Sequence, residues 1–163
     1  MLTIEVQLDS TLARLRRMAS AVGPEQRELI NEKIGIQLHG EVMRTFDEEG
    51  ATEGRPKWID LLYHGRQRYV MGADGKRRKG VFQTDYKILQ DTGALRASYF
   101  QLYSKDAAGV GAISGAKHAD LAPLHEFGNP ATHLPARPML PTPEYVLGVA
   151  TTLYGMAIKQ AAE

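Results

Sequence analysis

Residues 97–113 read Ala97-Ser98-Tyr99-Phe100-Gln101-Leu102-Tyr103-Ser104-Lys105-Asp106-Ala107-Ala108-Gly109-Val110-Gly111-Ala112-Ile113. Ala97, Tyr99, Gln101 and Tyr103 alternate with Ser98, Phe100 and Leu102, a period of two that predicts a strand. Both sets contain apolar residues, so the strand is expected to be central or covered on both faces. Ser104-Lys105-Asp106 is a polar turn, and Gly109-Val110-Gly111-Ala112-Ile113 is the returning strand. An antiparallel hairpin is therefore expected at this point.

Helices flank it. Gly23-Pro24 is a stop followed by a proline suited to a first turn. Beyond it, Ile30, Ile34, Leu38, Val42 and Phe46 recur at every fourth position, which predicts the longest helix and the backbone of the core. Its end, Asp47-Glu48-Glu49, opposes the helix dipole, so the last turn is expected to fray. Upstream, Leu2, Ile4, Val6 and Leu8 alternate as in a strand. Asp9 and Ser10 offer caps to a helix bearing Leu12, Leu15, Ala19 and Val22. Downstream, residues 118–127 suggest a short helix broken by Pro123, and residues 128–138 are rich in proline. A final helix opens at Thr142-Pro143-Glu144 with Val146, Val149, Ala150, Leu153 and Ala157 on one face. With neither repeat nor linker, this predicts one α+β domain over residues 1–163, a small antiparallel sheet packed against two or three helices.

The composition excludes several functions. The 163 residues are 43% hydrophobic, enough for a core, and the formal charge is +1 from 20 basic and 19 acidic side chains. The absence of cysteine removes disulfides, thiolate metal sites and cysteine nucleophiles, and fits a reducing compartment. The first residues lack the basic start and apolar run of a signal peptide, and no membrane span is expected.

Charge is unevenly distributed. Residues 55–87 hold nine basic side chains against Asp60, Asp74 and Asp85, a local surplus of six. Most belong to residues 64–80, a glycine-bearing stretch that reads as a long loop or an extended hairpin turning at Asp74-Gly75. Arg66, Arg68, Lys76, Arg77, Arg78 and Lys79 make it a surface for something acidic, either DNA or a partner subunit. The bland alternative is a solvated loop.

The candidate chemistry is thin. His118 and His125 stand seven apart with Glu126 adjoining, whereas zinc hydrolases place two histidines one helical turn apart with a third ligand. Gly109 to Lys117 resembles a phosphate loop only faintly, because lysine does not directly follow the last glycine and no Ser or Thr follows it. Ser98, Ser104 and Ser114 lie in no nucleophile elbow. Neither a catalytic site nor a cofactor, a metal or a small-molecule substrate is expected.

Three segments, in order, resemble the virion-morphogenesis, or tail-completion, proteins of Mu-like and P2-like phages. The first runs from Phe46 through an acidic, glycine-bearing loop to Trp58-Ile59-Asp60-Leu61. The second, Lys87-Ile88-Leu89-Gln90-Asp91-Thr92-Gly93-Ala94-Leu95-Arg96-Ala97-Ser98, is similar to the family's K-x-L-x-x-T-G-x-L-x-x-S run. The third pairs His125-Glu126-Phe127-Gly128 with Pro135-Ala136-Arg137-Pro138-Met139-Leu140, close to H-x-F-G followed by P-A-R-P-F-L. Two departures stand out. Asp120-Leu121-Ala122-Pro123 replaces a tyrosine-alanine pair, and Met139 replaces a phenylalanine. Thr92-Gly93 suits a tight turn with glycine at positive φ, while Pro135 and Pro138 stiffen a segment fit for a sheet edge or subunit contact. Arg137 between them is placed to pair with a carboxylate.

The resemblance implies a structural role at the head–tail junction, in a ring of identical subunits, with a hexamer the expected number. It implies neck, connector or tail-tube proteins as neighbours, non-specific contact with passing DNA, and a place in the virion after synthesis in the host cytoplasm. The alternative is a small nucleic-acid-binding module using residues 64–80.

Overall fold

The computed structural model describes residues 9–58, 66–71, 73–83, 89, 93–112 and 121–161. The strand expected over residues 2–8 lies outside them. The fold is α+β. Helices α1 (Asp9–Ser20), α2 (Pro24–Asp47), α3 (Ala94–Ala97), α4 (Ala122–Phe127) and α5 (Pro143–Ala161) accompany strands β1 (Arg66–Met71), β2 (Arg77–Gln83), β3 (Tyr99–Tyr103) and β4 (Ala108–Ala112). The strands form two antiparallel pairs, β1 with β2 and β3 with β4.

Helix α2 is the spine. Gly23 caps it with Pro24 in the first turn, as the sequence suggests, and its 24 residues span about 36 Å. Its apolar stripe feeds two cores. Ile30, Ile34 and Leu38 pack with Val22 of the α1–α2 turn and with Tyr154 and Ala157 of α5. Val42 and Phe46, both fully buried, pack with Trp58, Leu95, Tyr99, Ala122 and Met139. All five members of the predicted α5 face line the first of these clusters.

The β3–β4 pair lies against α2, and close approach is possible because Gly35 has no side chain. A Cβ there would stand 3.2 Å from Gln101 Cβ and 3.3 Å from the Leu102 carbonyl oxygen. Polar side chains fasten the contact at both ends. The Asn31 amide donates to Ser104 O at 2.8 Å and accepts from the Tyr154 hydroxyl at 2.9 Å, tying α2, α5 and the hairpin turn together. At the other end, His39 Nε2 sits 3.2 Å from Tyr99 O.

Four expectations need correction. Strand β3 is not covered on both sides: Tyr99 is buried, but Leu102 and Tyr103 are 48% and 44% exposed. These are the last two residues of the strand and lie on opposite faces, so exposure rises toward its end. Tyr99, Gln101 and Tyr103 share the face that pairs with Ala112, Val110 and Ala108. That face meets the cores through Val110, while the other face sets Phe100 and Leu102 opposite Gly111 and Gly109. The end of α2 does not fray either. It runs to Asp47, and Gly50 N closes the turn onto Thr45 O at 2.8 Å. Opposing the dipole costs about 0.3–1 kcal/mol. Burying Phe46 returns about 1.5–3 kcal/mol. Arg96 adds a bidentate grip on Asp47 at 2.7 and 2.9 Å. Pro123 does not break α4 but stands in its first turn, where its missing N–H has no partner to lose. Finally, Asp9 and Ser10 are helical residues of α1 rather than its caps.

Candidate functional site

The segments at residues 46–58, 93–99 and 125–140 come together around the core that holds Phe46. In the first, the chain leaves α2 through Gly50 at φ +90°, where any Cβ would overlap the Trp58 indole. Trp58 N donates to Glu49 O at 2.7 Å. Its ring stands edge-on to Phe46, with centroids 6.0 Å apart and planes at 85°. In the second, Gly93 takes φ +68° and caps α3, the positive φ expected of the Thr-Gly turn. Thr92 itself lies outside the described residues. Leu95 is buried, Ser98 Oγ donates to Leu95 O at 2.7 Å, and Tyr99 packs on Phe46 at 5.9 Å.

The third segment is a strap. Helix α4 ends at Gly128, φ +73°, where a Cβ would meet Ala136 N and Leu134 O at 2.8 Å, so only glycine fits. Asn129 and Leu134 exchange backbone bonds of 2.9 and 3.0 Å and close the intervening loop. The chain then returns beside α4, with Arg137 N donating to His125 O at 2.6 Å. Residues 138–142 are gripped by side chains from distant places. Trp58 Nε1 donates to Pro138 O at 3.2 Å. The Glu126 carboxylate accepts from Met139 N and Leu140 N at 2.8 and 3.2 Å. Arg55 donates to Leu140 O at 3.0 Å, and Glu53 accepts from Thr142 N at 2.9 Å and from the Thr142 hydroxyl. Backbone groups that would otherwise be buried and unsatisfied are met one by one.

Burial also tunes the acids and bases here. It pushes the Tyr99 hydroxyl far above its usual range, with Glu126 adding to the effect. His125 is lowered from 6.5 by burial and then by the Arg137 charge, while burial raises Glu126 from 4.5 against the pull of the two strap N–H groups. The unfolded chain therefore binds the His125 proton before the native chain does, and stability declines as pH falls through 6.5 toward the lowered value. Glu126 works oppositely: the native chain holds its proton longer, so stability declines as pH rises from 4.5 through the raised value. The two trends partly cancel. Between about pH 7 and 5, the melting temperature of Glu126→Gln should fall more steeply than that of the parent, and that of His125→Gln less steeply. Three superimposable profiles would contradict this.

Other sequence candidates are scattered. Ser98 Oγ is occupied in a backbone bond, and Ser104 Oγ accepts from Asp106 N and Ala107 N at 3.2 Å, as a turn residue does. Gly109 and Gly111 belong to β4 of an antiparallel pair, not to a strand–loop–helix unit. Ser114, Lys117 and His118 lie outside the described residues. Among the described residues, no three histidine or carboxylate side chains gather as metal ligands, and no helix is long and apolar enough to cross a membrane.

Of the motif residues, Trp58, Leu95 and Arg137 are interior, Arg137 at 3% exposure, and Pro135 and Pro138 are half-buried. Segment 135–138 thus packs partly against its own fold, with Ala136 exposed. Phe127 differs: it is 56% exposed. Sequence reading missed Glu53 and Arg55, whose partners lie 89 and 85 positions away.

The basic stretch is a hairpin with its turn at Asp74-Gly75, as one of the two readings expected. Asp74 accepts from Lys76 N at 3.2 Å and pairs with the Arg78 guanidinium at 3.0 Å, and Gly75 takes φ +71°. These contacts hold the exposed Asp74 carboxyl below its usual range. Comparison with protein-family models, with curated proteins and with solved structures finds no match.

Proposed function

We propose that this chain is a structural, non-catalytic subunit of a phage head–tail junction, completing the tail or joining it to the head as a ring of identical copies. A hexamer is the expected ring. Its neighbours would be neck, connector or tail-tube proteins, and its place the virion after assembly in the host cytoplasm. One observation carries the reading: the three segments that resemble tail-completion proteins, far apart in sequence, supply one core and the strap over it. A family built on these motifs would need them to meet in this way.

The reading also gives Phe127 a purpose. It is a motif residue that the interior does not use, and it is exposed together with Leu124 of α4 and Leu121 just before that helix, three positions apart in turn. A closed ring needs two different surfaces on each subunit, and a contact through α4 would be one of them.

Light scattering on the purified chain, alone and with tail tubes or connectors, tests the proposal. Assembly is expected in at least one mixture, and Phe127→Ser should weaken it at least tenfold without lowering the melting temperature. A chain that stays monomeric in every mixture and never enters particles would overturn the reading.

A further inference from the structure

The β1–β2 hairpin sorts its residues by face. Its register pairs Arg66 with Gln83, Gln67 with Phe82, Tyr69 with Lys79, Val70 with Arg78 and Met71 with Arg77. The register shifts by one between Gln67 and Tyr69, so β2 carries the extra residue at Gly80-Val81 and β1 stays regular. Alternate positions share a face, and cross-strand partners share it too. One face therefore holds the positions of Gln67, Tyr69, Met71, Phe82, Arg77 and Lys79, and so every aromatic and methionine position of the paired residues. The other holds Arg66, Arg68, Val70, Arg78 and Gln83, with arginine at three of five positions.

We infer that the face carrying Arg66, Arg68 and Arg78 is a contact for the sugar–phosphate backbone of duplex DNA. Three features favour DNA over an acidic protein. Arg66 and Arg68 stand two positions apart on the strand, about 6.7 Å, so the pair suits neighbouring charges of a polyanion better than one carboxylate. The cations on this face are all arginines, whose planar fork grips phosphate oxygens in pairs. A two-stranded ribbon also has the width the major groove admits. The Asp74–Arg78 pair braces the tip, and both of its side chains are largely exposed. The proposed contact is to phosphate, which positions a protein on the duplex without choosing a sequence. The inference rests on the head–tail reading only for the presence of DNA at the site.

The test is fluorescence anisotropy of a short labelled duplex with the full chain, from about 50 to 200 mM salt. Arg66→Gln/Arg68→Gln should weaken binding at least tenfold and reduce the salt slope by about 1.8, the value for two lost phosphate contacts. Arg77→Gln/Lys79→Gln removes the same charge from the opposite face and should change affinity less than threefold. Equal losses from the two pairs would show that only net charge matters and would overturn the face assignment. Absence of duplex binding at the lowest salt would overturn the inference, as would polyglutamate competing as well as DNA per unit charge. Circular dichroism on both variants verifies that the fold is intact. A chain that binds DNA by this face but never assembles would keep this inference while removing the ring, and a ring indifferent to DNA would do the reverse.

Discussion

Replacing Trp58 with alanine is expected to destabilise the protein by about 3–5 kcal/mol, the usual cost of deleting a buried tryptophan. Three losses coincide. The edge-on contact with Phe46 disappears, Pro138 O loses its indole donor, and a void opens beside Gly50, whose backbone curls around the ring. Trp58→Phe retains a ring but not the N–H, and should cost about 1–2 kcal/mol. Because Trp58 is the chain's single tryptophan, urea unfolding of both variants is followed by far-ultraviolet circular dichroism. A loss below about 1 kcal/mol for the alanine variant would mean that the core rearranges around the gap and that the strap does not depend on the indole.

The core that Trp58 serves was legible in the sequence only through the α2 stripe. The every-fourth-residue stripe from Ile30 to Phe46 implied the spine, and both members that reach the Trp58 core are fully buried. Gly93 was legible for a local reason, since a Thr-Gly turn calls for a positive φ. The strap's fastenings were not. Glu53 and Arg55 sit in a glycine-bearing loop with no periodicity, and each reaches a partner that only the folded chain brings near. Glu126 was read only as the neighbour of a histidine in a weak metal pattern, yet its carboxylate accepts two backbone N–H groups. The misreading of β3 has a related cause: alternation reveals two faces, but not whether a second layer exists to cover the outer one. The β1–β2 hairpin was legible as a possibility because of Asp74-Gly75, but its division into two faces was not, because the bulge changes which residues pair.

The second large effect is expected at Glu53. Its side chain is nearly buried and accepts from Thr142 N and the Thr142 hydroxyl, and it lies 3.4 Å from the Arg55 guanidinium. Glu53→Ala should cost about 2–3 kcal/mol, because it leaves a strap N–H without its acceptor and a partly buried guanidinium short of a charge partner. The backbone supplies a control. Glu53 sits at φ +54°, a region that disfavours side chains, so alanine keeps the strain while losing every contact. Glu53→Gly loses the same contacts but relaxes the backbone, and should be more stable than the alanine variant by about 1 kcal/mol. Thermal melts of the two side by side decide the matter. If glycine is the worse of the pair, the contacts at Glu53 do not act through a strained residue.

Helix α2 serves both apolar clusters with one uninterrupted rod. Loss of its C-terminal half removes Val42 and Phe46 from one cluster, and loss of its N-terminal half removes Ile30 and Ile34 from the other. The two clusters take their walls from the same helix and share Val110, so the chain is expected to open as a single cooperative unit. In the tail subunit proposed above, such a rod would carry a pull at one end to the cluster at the other with no joint between them.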